Sequence, residues 1–166
     1  MVTMPLCALC VRSVMMIRAT QPTQAVLALD LEGTLISNAM SQFPRTGLHA
    51  FLVSSAELFG KNNIVIYTTV SQTLFRDIAN RLYDEGHVPE WFTTIRYIEW
   101  AGQIKDLRCV SADIEKVLLV DDFEGYIEPQ QKHRWVEMTP YIHPYHDDDA
   151  LDKLTKTLIE RRFTDF

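Results

Sequence analysis

The chain has 166 residues, a hydrophobic content of 47% and a formal net charge of −6. This length and composition predict one globular domain with its own core, and the sequence contains no repeat, low-complexity tract or internal linker. The negative charge argues against nucleic acid as a partner, because a polyanion is repelled unless a local basic patch overcomes the net charge. The sequence contains no Lys/Arg run of that kind.

Residues 1–24 differ in character from the rest of the chain. They contain no acidic residue and are dominated by methionine, valine, leucine and cysteine. Such a stretch is compatible with an extension, a wrongly assigned start codon or a targeting segment. Arg12 interrupts the apolar run, which is then too short to span a membrane. We expect an N-terminal extension at 1–24, a single domain at 25–166, and no membrane span.

The three cysteines of the chain, Cys7, Cys10 and Cys109, provide no disulfide framework. Cys7 and Cys10 have the spacing of half a zinc site, but two further ligands at a suitable spacing are missing. Free thiols in a reducing compartment are the simpler interpretation. We therefore expect a cytoplasmic protein, unless residues 1–24 are a targeting sequence.

Residues 26–29 form a continuous apolar run that is too short for a typical helix, and they predict a buried parallel strand. Asp30 follows at the carboxyl end of this strand, which is the edge where open α/β sheets bind ligands. Glu32 comes two residues later, and Gly33 allows a tight turn that leaves room for a ligand. The pattern places a nucleophilic carboxylate, Asp30, beside an acid/base carboxylate, Glu32. Taken alone, it also occurs in ordinary loops.

The rest of the chain alternates between strand and helix patterns. Helices are predicted at 47–59, 71–85, 102–113 and 148–162, and strands at 25–30, 63–68, 93–98, 117–121 and 134–138. This alternation predicts a three-layer α/β fold, in which helices cover both faces of a doubly wound, mostly parallel sheet.

Two further predicted strands end in polar residues, and a lysine lies between them. The strand at 63–68 ends in Thr68, Lys105 stands alone, and the strand at 117–121 leads into Asp121 and Asp122. Each has a structural alternative: a threonine can simply end a strand, a lysine can be solvated, and paired acids can open a turn and cap a helix. The order of all four signals along the chain makes a joint functional role the better interpretation.

At these residues the sequence resembles the haloacid dehalogenase (HAD) superfamily of Mg-dependent phosphatases. Its four motifs are Asp-x-Asp-Gly-Thr, a strand ending in Thr or Ser, a Lys, and a strand ending in two acids. A closer resemblance is to the NLI-interacting-factor branch, which includes phosphatases of the RNA polymerase II C-terminal domain and a mitochondrial import receptor subunit. Residues 43–52 are similar to the Arg-Pro-Gly-Leu-x-x-Phe-Leu motif of that branch, and residues 104–107 contain its Lys-Asp-Leu. The resemblance covers about residues 25–162.

Two positions depart from the pattern of this branch. Glu32 replaces the usual second Asp, and Thr46 replaces the usual Pro after Arg45. Glutamate at the first position also occurs in the active enolase-phosphatase family and in some import-receptor members that act as binding proteins. The departure therefore leaves two alternatives open, an enzyme and a binding or scaffold protein that retains the fold.

The resemblance implies a HAD-like fold and a phosphomonoester hydrolase that works through an aspartyl-phosphate on Asp30. Glu32 would protonate the leaving alcohol and then accept a proton from the attacking water. Lys105 and Thr68 complete the implied catalytic set. The resemblance assigns phosphate binding to Thr68, Thr69, Lys105 and Gly33, and it assigns Mg²⁺ to Asp30, Asp121, Asp122 and the backbone carbonyl of Glu32.

The spacing between the motifs leaves no room for a separate cap domain. Residues 35–64 hold a short flap and one helix, and residues 69–105 hold a helix, a strand and a connection. A capless member of the superfamily is expected to have an open site, which suits a phosphorylated side chain on a larger molecule. Alternatively, the substrate is a small molecule or nucleotide and another subunit supplies the lid. The sequence does not decide the oligomeric state.

Overall fold

The computed structural model describes residues 25–100 and 102–166. The predicted extension at 1–24, with Cys7 and Cys10, lies outside the described residues. In chain order the main elements are β1 (Val26–Leu29), α1 (Leu48–Phe59), β2 (Ile64–Ile66), α2 (Gln72–Asp84), β3 (Arg96–Tyr97), β4 (Val117–Asp121), β5 (Trp135–Glu137) and α3 (Ala150–Thr164).

The five strands form one parallel sheet in the order β3-β2-β1-β4-β5. β1 is central, and its last residue, Leu29, is in register with Ile66 of β2 and Val120 of β4. β2 and β4 are buried along their whole length, as expected for central strands covered on both faces. The predicted α/β fold with a doubly wound parallel sheet is confirmed.

Alternate residues of the central strands contribute to two apolar clusters, one on each face of the sheet. Leu27 and Leu29 join the first cluster, which also contains the buried side chains of α1, α2 and α3. Ala28 joins the second cluster, which is closed by residues of short 3₁₀ segments such as Leu107. In the described part of the chain, the long helices therefore all pack in the first cluster, and the second face, where helices were also expected, is covered by short 3₁₀ segments.

The prediction of a helix at 102–113 is wrong. Among the described residues of this segment, the helical structure is limited to a 3₁₀ turn at Leu107–Cys109, and Lys105 forms an isolated β-bridge with Ile127. The Lys105 N–H donates to the Tyr126 carbonyl over 2.7 Å, and Asp106 caps the turn by accepting from the Arg108 N–H over 2.9 Å. These tertiary and local hydrogen bonds replace the helical ladder in this segment, and Lys105 is fully buried.

The other helices were predicted to within two residues. α3 begins at Ala150 rather than 148, because the Asp148 carboxylate is turned toward Arg45 and accepts from the Ala150 N–H over 3.3 Å. The predicted strand at 93–98 is shorter, since a 3₁₀ turn at Glu90–Thr94 occupies its first part. None of the helices in the described residues is long and apolar enough to cross a membrane.

Candidate active site

The ends of three neighbouring strands bring the predicted site residues to one edge of the sheet. Asp30 follows β1, Thr68 follows β2 by two residues, and Asp121 ends β4. The Asp30 N–H donates to the Val120 carbonyl over 2.9 Å, so the backbone of the candidate nucleophile is tied to the neighbouring strand. The carboxyl edge of the sheet is therefore where the side chains converge, as expected for an open α/β sheet.

Three carboxylates meet at this edge. Asp30, Asp121 and Asp122 each present an oxygen atom, and these atoms lie within 4.8 Å of one another. Asp30 and Asp121 are buried, and Asp122 is half-buried. Hard oxygen ligands at this spacing fit a divalent cation such as Mg²⁺.

Gly33 makes the approach of Asp122 possible. A Cβ atom at position 33 would lie 2.1 Å from Oδ2 of Asp122, which leaves no space for a side chain. The φ angle of Gly33 is +71°, in the left-handed region that glycine adopts without strain. Two independent constraints therefore require glycine at this turn.

Lys105 is fully buried between two of the carboxylates. Its Nζ donates to Asp30 Oδ1 over 2.7 Å and to Asp121 Oδ2 over 2.5 Å. With Asp122 included, three carboxylates face one ammonium group, and ionisation of all of them would leave two negative charges unneutralised. A divalent cation would supply that charge, so the donor set and its charge both fit such an ion.

The protonation equilibria reflect this burial. Burial raises the pKa of Asp30 to about 7, although the adjacent Lys105 acts in the opposite direction. Burial and the neighbouring Asp121 raise the pKa of Asp122. Burial disfavours the Lys105 ammonium, but Asp30 and Asp121 outweigh it and raise the lysine pKa. A bound cation favours the ionised form of its carboxylate ligands, against the effect of burial.

Glu32 is held apart from the three carboxylates. Its Oε1 accepts a hydrogen bond of 2.6 Å from the Ala39 N–H, which orients the side chain toward the segment that precedes α1. Within the described residues the backbone carbonyl of Glu32 accepts no hydrogen bond. That oxygen is consequently free for a ligand, while the carboxylate already has one partner.

The three remaining predicted phosphate-binding residues have different environments. Thr68 is buried, and its Oγ1 accepts from the Val70 N–H over 3.4 Å, which leaves the hydroxyl proton free to be donated. Thr69 is exposed. The Gly33 N–H donates to the Ile36 carbonyl over 2.8 Å. Phosphate contact at Gly33 stays a prediction, and in this structure the residue provides the space that Asp122 occupies.

A comparison with protein families matches residues 25–165 to the NLI interacting factor-like phosphatase model. The chain belongs to this family. The match spans the sheet, α1 to α3 and every predicted site residue, and it confirms the resemblance found in the sequence. A comparison with curated proteins finds no match.

In this NLI interacting factor-like chain, Arg45 clamps the turn that carries Gly33. Arg45 is buried, and its Nη1 donates to the Gly33 carbonyl over 3.1 Å. Its Nε and Nη2 donate to the Asp148 carboxylate, with the shortest distance 2.9 Å. The Tyr141 N–H also donates to the Gly33 carbonyl, over 2.8 Å. The sequence identified Arg45 as part of a family motif but did not indicate this positioning role.

Aromatic rings surround the ammonium group of Lys105. The ring centroids of Tyr67, Trp100 and Tyr126 lie 5.8, 5.8 and 5.7 Å from Nζ. Such contacts favour the charged lysine in a site with little water. The sequence did not single out either tyrosine. Tyr67 directly precedes Thr68, and this adjacency is the sequence feature that could have placed Tyr67 at the site.

Proposed function

We propose that this chain is a Mg²⁺-dependent phosphomonoester hydrolase that works through a phospho-Asp30 intermediate. The observation that carries the proposal is the convergence of Asp30, Asp121 and Asp122 around the buried Lys105. A phosphate dianion repels a carboxylate, so Asp30 can act as nucleophile only where cationic groups neutralise the transferring oxygens. Membership of a phosphatase family supports the same reaction class.

In the first step an Asp30 carboxylate oxygen attacks phosphorus, and the bond from phosphorus to the substrate oxygen breaks. The leaving alcohol takes a proton from Glu32. In the second step water attacks the phosphorus of phospho-Asp30, Glu32 accepts its proton, and inorganic phosphate leaves with Asp30 restored. The Ala39 N–H occupies Oε1 of Glu32, so Oε2 is the oxygen available for proton transfer.

The cation would be held by the carboxylates of Asp30, Asp121 and Asp122 together with the backbone carbonyl of Glu32. All four are oxygen donors, which Mg²⁺ prefers, and it retains several waters beside a few protein ligands. When bound, Mg²⁺ offsets negative charge on the phosphoryl oxygens. Lys105 places a further positive charge at the nucleophile, where charge develops during transfer.

Thr68 and Lys105 would bind the phosphoryl group. Thr68 has a free hydroxyl proton to donate, and Lys105 presents an ammonium group fixed by two carboxylates. Thr69, at the exposed surface, would contact the substrate only at the rim. The substrate is a phosphorylated molecule, and an open site of this kind suits a phosphorylated side chain on a protein.

A second candidate function is phosphate binding without turnover. The bond from the Ala39 N–H to Glu32 favours it, because it engages one oxygen of a carboxylate that lies outside the cluster of three acids. A glutamate is one methylene longer than the usual aspartate, and a misplacement of about 1 Å in a catalytic group costs roughly a hundredfold in rate.

Phosphate release from an aryl phosphate in the presence of Mg²⁺ tests the proposal. Asp30→Asn and a chelated wild-type sample should both lose activity, whereas Asp113→Asn, at the exposed start of a distant 3₁₀ turn, should retain it. A folded, Mg²⁺-binding wild type without phosphate release would support the second candidate. Equal activity in wild type and Asp30→Asn would overturn the mechanism.

A further inference from the structure

Three aromatic side chains form a continuous surface on the Lys105 side of the site, here named the aromatic wall: Trp100, Phe123 and Tyr126. The Tyr126 ring centroid lies 4.8 Å from that of Trp100 and 4.7 Å from that of Phe123, with interplanar angles of 74° and 71°. Both pairs are edge-to-face, the favourable arrangement for aromatic rings. Because Trp100 and Tyr126 also contact the Lys105 ammonium, the wall connects Phe123 to the phosphate-binding lysine.

Phe123 is 54% exposed, although its position is fixed. It directly follows Asp122, and its N–H donates to Asp121 Oδ1 over 2.9 Å. Its ring lies against Gly125, where an added Cβ would be 2.4 Å from Phe123 Cε1. Single exposed apolar residues are common on protein surfaces. This one differs because its backbone N–H is hydrogen-bonded to Asp121 and its ring packs against Tyr126 and Gly125.

We propose that Phe123 lines a leaving-group subsite that selects phosphomonoesters whose phosphate is carried on an aromatic ring. This inference rests on the proposed function, because it assumes that the phosphoryl group binds at Asp30, beside Lys105. The leaving group of such a substrate must then project toward the rim of the site. A ring bonded directly to the phosphate oxygen is rigid and presents a flat face to Phe123, whereas an alkyl leaving group gains less from an aromatic surface.

Two sources share this chemistry, a phosphotyrosyl side chain on a protein and a small aryl phosphate. A phosphotyrosyl peptide and free phosphotyrosine distinguish them. A lower KM for the peptide indicates a protein source, and an equal KM indicates a small molecule. Either result supports the proposal when both substrates surpass phosphoserine and its matched peptide in kcat/KM.

Binding measurements test the subsite without any chemistry. Phenylphosphonate and methylphosphonate lack the ester bond that the enzyme cleaves, and calorimetry in the presence of Mg²⁺ gives the affinity of each. Wild type should bind phenylphosphonate roughly two- to tenfold more tightly. Phe123→Ala should remove this preference, and Phe123→Tyr should retain it. Phe163→Ala, which changes an 82% exposed ring on α3, is the matched control and should leave the preference unchanged.

Gly125→Ala is a second variant that tests the subsite, because it retains the Phe123 side chain but changes its position. The φ angle of Gly125 is outside the left-handed region, so alanine fits the backbone, but its Cβ displaces the ring of Phe123. We expect the same loss of phenyl preference as in Phe123→Ala, with folding retained. Loss in one variant and not in the other would contradict the role assigned to ring position.

The two proposals fail in different ways. If the wild type binds phenylphosphonate more tightly than methylphosphonate but releases no phosphate from an aryl phosphate, the subsite proposal stands and the hydrolase proposal is overturned. Phosphate release with equal affinity for the two phosphonates would leave the hydrolase intact and overturn the subsite. Equal loss of affinity for both phosphonates in Phe123→Ala would show that Phe123 has only a structural role, which would also overturn the subsite.

Discussion

Arg45 and Gly33 are joined by a hydrogen bond of 3.1 Å, in which the guanidinium Nη1 donates to the glycine carbonyl. The same arginine is paired with Asp148, just before α3. One side chain therefore links the turn after the candidate nucleophile to the segment that leads into the last helix. The turn is therefore held by protein contacts from outside the cluster of carboxylates.

Arg45→Lys should weaken this link. A lysine has one donor group and cannot bind Asp148 and the Gly33 carbonyl in the same forked geometry. We expect a loss of about 1–3 kcal/mol in the free energy of unfolding, measured in urea, together with lower phosphatase activity. Arg108→Lys changes an exposed pair with Asp106 and serves as the control, which should show little change. Equal effects in both variants would argue against the clamp.

Gly33→Ala should impair cation binding. The new Cβ would collide with the Asp122 carboxylate and would force alanine into a left-handed conformation. We expect Mg²⁺ affinity to fall roughly 10- to 100-fold by calorimetry. Gly86→Ala is the matched control, because its φ is +79° and no atom lies within 4 Å of the added Cβ. It should show the backbone strain alone, with unchanged Mg²⁺ affinity.

Lys105→Met should destabilise the fold as well as the site. The variant leaves Asp30 and Asp121 buried without their cationic partner. Breaking a buried ion pair by removing one member typically costs about 3–5 kcal/mol. Denaturation in urea with a chelator present measures the loss, and Lys153→Met, on the exposed face of α3, is the control. An unchanged unfolding midpoint would show that Lys105 contributes no net stability.

Glu32→Gln should remove proton transfer by residue 32 while preserving the geometry of the loop. The amide oxygen can still accept from the Ala39 N–H, but the side chain cannot exchange a proton. We expect kcat to fall roughly 10²- to 10⁴-fold while KM and the melting temperature stay near wild type. Glu57→Gln, on the exposed part of α1, should retain full activity. A parallel loss of thermal stability would indicate that the variant acts through the loop.

Asp106 should make stability depend on pH in the acid range. Hydrogen bonds from Arg108 and Gln131 hold the pKa of Asp106 well below its usual range. A carboxyl whose pKa is lower in the folded state stabilises the fold above its unfolded pKa of about 4, and loses that contribution as pH falls toward the folded value. Asp106→Asn should flatten this part of the profile of unfolding free energy against pH. A profile identical to wild type would rule out the contribution.

The sequence predicted most of the sheet and the positions of the three acids. Apolar runs such as 26–29 and 117–120 have the length and continuity of buried parallel strands, and each is followed directly by an acid. The convergence of Asp30 and Asp121 then follows from the parallel arrangement, since their strands are neighbours. The proposed roles of these residues remain predictions until activity is measured.

Tertiary contacts decided the features that the sequence did not predict. The segment at 102–113 has a helix-like pattern, but the hydrogen bond from the Lys105 N–H to Tyr126 overrides it. The hydrogen bond that Glu32 accepts comes from Ala39, which lies in a loop that no hydrophobic periodicity predicts. The closeness of Gly33 to Asp122 likewise arises between two strands far apart in the chain.

The two faces of the sheet are covered by different kinds of structure, and this difference affects where substitutions can change substrate preference. The long helices join the first cluster, whereas short 3₁₀ segments close the second cluster. One of these segments begins at Leu107, two residues after Lys105. Substitutions at the exposed positions of these short segments disturb neither a helical ladder nor the core, so we expect them to be tolerated more readily than changes at buried positions of α1 to α3. Lineages can therefore acquire new substrate preferences along the lysine-bearing side while the helical layer preserves the folded framework.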